Sequence, residues 1–308
     1  MLSVVIPAYN EAAMIPKTAA VIDGLLEENG IEHELLFIDD GSTDRTWQMI
    51  TASAASLPSV RGVRFSRNFG KEGAIMAGLT EARGDCAVVI DCDLQHPPEK
   101  IIEMYSLWEQ GYEVIEGKKD ERGQESAVHR FAAKTFYELI SRAAKIDMQD
   151  ASDFKLLDRK AIDVIINMRE RNMFFRALSS WVGFRTATVR YEVQDREFGE
   201  SKWSGLSLVR YALSNISSFS TAPMQLVTIL GVLMFIASVV LGVIALTQKV
   251  IGKALEGFTT VILIQLFSGS VLMMSLGIIG YYIARIYEEI KDRPRYIISG
   301  RCGEDDRE

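Results

Sequence analysis

The residues best placed by type and spacing to do chemistry are Asp91, Cys92 and Asp93, where the apolar run Val88-Val89-Ile90 ends. Two carboxylates one residue apart repel each other unless water, a cation or donor groups stabilise them. An exposed acidic turn, a helix start and a metal site each meet that need. Read as a metal site, the pair suits Mg2+ or Mn2+, which is held by few carboxylates and completed by substrate phosphates and water. A cation there would neutralise charge developing on a departing diphosphate. Cys92 is expected to point into the protein rather than toward a hard ion. His96 is either a neighbour of the site or an ordinary loop histidine.

Three more polar clusters follow apolar runs: Pro7 to Glu11, Asp39 to Asp44, and Arg67 to Lys71. The runs LSVVIPAY, ELLFID, VRGVRF and CAVVID read as buried strands, and helical periodicity fills the intervals, as in Ile15, Ala19, Ile22 and Leu26. Strands alternating with helices predict an α/β fold with a mainly parallel sheet covered on both faces. Ligands of such sheets bind outside the carboxyl ends of the strands, where all four clusters fall. Asp39 and Asp40 can accept from base or ribose donors, or else hold the Gly41-Ser42 turn and cap the next helix. Arg67 and Lys71 supply positive charge near a diphosphate, or else are solvated surface groups, and Gly70 permits a tight backbone path. Neither GxGxxG after the first strand nor GxxxxGK[ST] anywhere is present, which argues against a dinucleotide enzyme and a P-loop ATPase.

At 308 residues the chain can build one large core or two domains. Its net charge of −7 argues against coating nucleic acid. Cys86, Cys92 and Cys302 lack paired or metal-like spacing, so a disulfide framework is not expected and a reducing compartment fits. The N-terminus lacks the basic and apolar regions of a signal peptide. Charge is absent from Tyr211 to Gln248 and again from Phe258 to Ala284. Each run exceeds the roughly 20 residues a helix needs to span a bilayer, so a transmembrane hairpin is preferred over buried core helices. Arg285, Lys291, Arg293 and Arg295 favour a cytoplasmic tail, and two spans return the chain to its starting side; Lys249 and Lys253 in the linker oppose that orientation.

Between these regions, KKDERGQESAVHR suits a mobile loop over a site, and Asp153 in ASDFKLLDR can sit beneath a reacting group. Arg169, Arg171 and Arg176 interleave with Met173, Phe174, Phe175 and Trp181, a pattern of an interfacial helix or of a globular amphipathic one. Arg196, Ser201 and Lys202 stand just before the first apolar run, placed to clamp an anionic group at a bilayer surface.

As an ordered set, SVVIPAYNEA, FIDDGSTDRT, RNFGKEGAI, VVIDCDLQHPPE, ASDFKLLDR, ERNMFFRALSSWVGF and REFGESKWS resemble family 2 glycosyltransferases, over nearly the whole chain. The resemblance is to the membrane polyprenyl-phosphate group that includes bactoprenol glucosyltransferases and dolichol-phosphate mannose synthases. It implies a GT-A catalytic core over 1–164, an interfacial, acceptor-binding region over 165–223, a transmembrane hairpin over 224–286 and a cytoplasmic tail over 287–308. It further implies inverting transfer of a sugar from a nucleotide to polyprenyl (undecaprenyl) phosphate at the cytoplasmic face of a bacterial inner membrane. UDP-glucose leads as donor, with GDP-mannose, UDP-N-acetylglucosamine and a modified pentose as alternatives. Pro7, Tyr9, Glu11, Asp39 or Asp40, Arg67 and Lys71 are then expected around the nucleotide. Asp91 and Asp93 would be the metal pair, with Asp93 the firmer ligand for Mg2+ or Mn2+. Asp153 would orient sugar or acceptor or shuttle a residual proton, and Arg196, Ser201 and Lys202 would hold the acceptor phosphate. Homo-oligomers, including tetramers, are implied. A catalytically inert membrane scaffold is the rival.

Overall fold

The structure, a computed structural model, describes residues 1–119, 152–168, 175–192, 222–251, 257–291 and 293–303. The four expected strands form: β1 (Leu2–Ala8), β2 (His33–Asp39), β3 (Val60–Phe65) and β4 (Cys86–Val89). Helices α1 (Ile15–Glu28), α2 (Thr46–Ser56) and α3 (Lys71–Glu81) connect them. β4 pairs with β1, β1 with β2, and β2 with β3, all parallel. Both faces are covered, so the strands need continuous apolar sequence rather than alternation. One core holds Val4 and Ile6 of β1 with Ile15, Ala19 and Ile22 of α1; another holds Ile38 and Phe65 with Ala74 and Ala77 of α3. α3 lies so close to β1 that a Cβ at Gly78 would fall 2.1 Å from Val5 Cγ1.

Four further strands extend this core to eight. After α4 (Lys100–Glu109) come β5 (Val114–Lys119), β6 (Lys155–Asp158), α5 (Arg159–Asn167), α6 (Phe175–Trp181) and β7 (Thr186–Tyr191). The strand order is β7-β5-β6-β4-β1-β2-β3-β8. β6 runs antiparallel between β4 and β5, and β7 lies parallel to β5. β8 (Ile298–Cys302) pairs antiparallel with β3 at the far edge. β8, which follows the second long apolar helix in the chain, thereby belongs to the compact unit of residues 1–209 and 294–308.

A second unit spans 210–293. It contains α7 (Ala222–Val250) and α8 (Phe258–Ile290), which pack on each other. Within them Val227–Ile244 and Phe267–Ala284 are long and apolar enough to cross a membrane, and neither window is buried inside the protein.

Candidate active site

The ends of β1 and β2 are laced together by side chains. Asn10, in the left-handed region at φ 57°, donates its backbone N–H to Ser42 Oγ at 2.9 Å and accepts from Thr43 N at 2.9 Å. Glu11 N donates to Thr46 Oγ1 at 2.9 Å. Asp39 is fully buried and its Oδ1 accepts from Ser42 N at 2.9 Å, which is the turn-holding role. Gly41 is required there: at φ 66°, a Cβ would lie 2.3 Å from the carbonyl carbon of Arg67. Asp40 accepts from Phe69 N at 2.6 Å and Gly70 N at 2.9 Å, drawing the Arg67–Lys71 loop toward β2. Burial raises the Asp40 carboxyl above its ordinary value despite those two donors. Arg67 itself is exposed, its guanidinium 4.0 Å from the Phe69 ring centre, and it does not line the cleft described next.

A cleft of about 280 Å³ opens at the carboxyl ends of the parallel strands. Pro7, Tyr9, Glu11 and Asp40 line one part of it, and Gly70, Lys71, Asp91 and Asp93 another. Cys92 is buried, its Sγ 3.9 Å from Thr18 Oγ1, as expected for a residue turned inward. Lys71 opens α3, and its ammonium bridges Asp91 Oδ1 at 2.6 Å and Asp153 Oδ2 at 2.9 Å. Arg176 grips the same aspartate with two parallel bonds, Nε to Oδ1 at 2.7 Å and Nη2 to Oδ2 at 2.9 Å. Burial disfavours charge on Asp153, but the Arg176 hydrogen bonds and the Lys71 charge outweigh it and hold the carboxyl far below the usual carboxylate range. Burial likewise opposes the Lys71 charge, and Asp91 and Asp153 overcome it, keeping the lysine well above its ordinary value. Asp153 is therefore ionised at neutral pH and poorly suited to accept a proton.

Asp93 Oδ1 accepts from Gln95 N at 3.2 Å. Among the described residues no group of three or more His, Cys, Asp and Glu is arranged to hold a metal. Asp91 and Asp93 offer hard oxygen donors only, and a cation, the Lys71 ammonium, already rests on Asp91. That donor set fits Mg2+ or Mn2+ sharing its coordination with phosphate, and it does not fit an all-protein cage.

Three residues behind the cleft carry no site role in the sequence reading. Of the two helix readings for Arg176 and Phe175, the globular one fits Phe175, which is fully buried in the first unit, and Arg176 turns to Asp153. Glu72 accepts from Phe175 N at 2.9 Å, joining the first turns of α3 and α6; burial pushes its carboxyl up to about 7. Lys155 is wholly buried in β6, donating to Glu116 Oε1 at 2.7 Å, Ser179 Oγ at 2.6 Å and the Arg176 carbonyl at 3.2 Å. A lysine between Phe154 and Leu156-Leu157 in a run this apolar is the one signal that could have exposed that network. His96 stacks on Phe154 at 5.0 Å between ring centres and meets Tyr191 edge-on, and burial lowers its basicity. Arg196, Ser201 and Lys202, with Arg169, Arg171, Met173 and Phe174, lie outside the described residues.

The profile of glycosyl transferase family 2 matches residues 3–166. YkcC of Bacillus subtilis (strain 168), an uncharacterised glycosyltransferase, is 38% identical over 98% of this chain and 94% of its own. The bactoprenol glucosyl transferase of Shigella phage SfII is 37% identical over 96% of this chain and 97% of its own. Among solved structures, mannosyl-3-phosphoglycerate synthase from Rubrobacter xylanophilus superposes with a TM-score of 0.50 at 19% identity, over 71% of this chain and 72% of that one. The last likeness bears on the fold alone, which is GT-A-like, with two long apolar helices following the sheet domain. The match over more than half the chain, together with relatives aligned almost end to end, makes this protein a member of glycosyl transferase family 2.

Proposed function

We propose that the protein transfers a sugar, glucose from UDP-glucose first among the donors, to polyprenyl phosphate at a membrane surface. The observation that carries this reading is the cleft of about 280 Å³ at the carboxyl ends of β1, β2 and β4, where Lys71, Asp91 and Asp93 lie on the wall and Asp153 is paired to Lys71. The bactoprenol glucosyl transferases among the relatives aligned end to end support glucose as the sugar and a polyprenyl phosphate as the acceptor. Two exposed apolar helices support delivery of a lipid acceptor. β8 returns to pair with β3 after α8, so the chain on leaving the second helix is on the same side as the sheet. That return supports a two-span topology, and the basic residues after Ala284 support a cytoplasmic sheet domain. Assembly as a homotetramer belongs to the same reading.

In the reaction a phosphate oxygen of the lipid attacks the anomeric carbon, its bond to the nucleoside diphosphate breaks, and the configuration inverts. The phosphate monoester is already largely ionised near neutral pH, so no residue must take its proton. Pro7, Tyr9, Glu11 and Asp40 bound the nucleotide, and Lys71 supplies positive charge beside its diphosphate. Asp91 and Asp93 would hold Mg2+ or Mn2+, which when bound neutralises charge on the leaving group. Asp153, fixed by Arg176, orients the sugar rather than acting as a base. Arg196, Ser201 and Lys202 take the acceptor phosphate.

The test offers the full chain in lipid a panel of radiolabelled nucleotide sugars with a short polyprenyl phosphate and Mg2+ or Mn2+. The expected product is a glucosyl polyprenyl phosphate, identified by mass. No sugar-linked lipid from any donor, with protein that is folded and binds UDP, would sink the proposal.

A further inference from the structure

The four residues Lys71, Asp91, Asp153 and Arg176 form two carboxylates and two cations in one cluster, but their dependence on each other is unequal. Arg176 covers both oxygens of Asp153, so Asp153 keeps a paired charge if Lys71 leaves. Lys71 is held to Asp91 by its shortest contact, 2.6 Å, and its side chain is 42% exposed along the wall of the cleft. It follows Gly70, whose φ of 95° turns the chain into α3, and the first turn of that helix faces anions favourably. The ammonium is thus free to exchange a carboxylate for a phosphate without stranding Asp153.

From this we infer that Lys71 is an internal competitor for the divalent cation: its ammonium rests on Asp91 until a diphosphate draws it away. The inference builds on the reading of Asp91 and Asp93 as the cation's ligands. A divalent ion entering alone meets a positive charge already on its ligand. A diphosphate entering alone adds negative charge beside three aspartates. Entering together they offset each other, and Lys71 passes from carboxylate to phosphate. Lysine at this position therefore couples metal binding to donor binding, a coupling that acts reciprocally on the two affinities.

Loss of the Mn2+ electron paramagnetic resonance signal, titrated with the full chain in detergent, measures this directly, with and without UDP. Lys71→Met and Lys71→Gln should bind Mn2+ without UDP about tenfold more tightly than the unmodified chain, by removal of a cation within a few ångströms. Both should bind UDP alone more weakly. Lys71→Arg, which keeps the charge, should stay within about twofold of the parent for Mn2+. If neither neutral variant binds Mn2+ more tightly while UDP still enhances Mn2+ binding to the parent, competition by Lys71 is refuted and the metal site stands. If the parent binds no Mn2+ even with saturating UDP, the metal reading fails and the inference with it.

Discussion

Glu72→Gln should stabilise the sheet domain at pH 8 and do so much less at pH 5. Burial raises the Glu72 carboxyl from its ordinary 4.5 to about 7, with Asp153 adding repulsion; the Phe175 N–H, Arg176 and Lys71 only partly oppose this. A folded-state value above the unfolded one means that the native protein binds a proton the unfolded chain releases. The stability this provides is complete below pH 4.5 and is lost as pH rises toward 7. Each unit corresponds to about 1.4 kcal/mol, which sets an upper bound between about 3 and 4 kcal/mol; partial solvent access reduces the working figure to about 2 kcal/mol. Glutamine is neutral throughout and retains an oxygen for Phe175 N, so it removes the charge without removing the link between α3 and α6. Urea unfolding of the full chain, followed by tryptophan fluorescence at pH 5 and pH 8, reads the difference. A variant less stable than the parent at pH 8, or a difference independent of pH, would refute the argument.

Lys155→Met should destabilise by about 3–5 kcal/mol, because it leaves Glu116 buried without its cation; adding Glu116→Leu should recover part of that loss in the same unfolding measurement. Gly78→Ala should cost about 1–3 kcal/mol by forcing α3 away from Val5 on β1, visible as a lowered urea midpoint. Asp153→Asn should reduce kcat on the order of a hundredfold by weakening the site's fixed electrostatics. It should leave the acidic limb of the pH–rate profile in place, since Asp153 is held too low to titrate there; a vanished limb would restore a proton-transfer role.

The four parallel strands and the edge that gathers the polar clusters were legible because the strands are mainly apolar runs followed by polar residues, and strands buried on both faces leave that mark. β5, β6 and β8 leave none: VIEGKK, KLLD and ISGRC are short or polar, and pairing with neighbours makes them strands. The sequence could not divide labour between Asp39 and Asp40, since both follow the same run; only the fold sends one into the turn and the other to the Phe69–Gly70 backbone. Arg176 stayed ambiguous for a related reason. Its aromatic neighbours suit a lipid surface as well as a core, and what separates the two is Asp153, more than twenty positions earlier in the chain.

The position of β8 has a consequence for how this protein is made. Its partner β3 leaves the ribosome early, with Gly62 small enough to admit Cys302, yet β8 follows both long apolar helices in the chain. An unpaired strand edge invites association with other chains. Throughout translation of α7 and α8 the nascent sheet must keep that edge open, and it closes only when the helices have been made and the chain has come back.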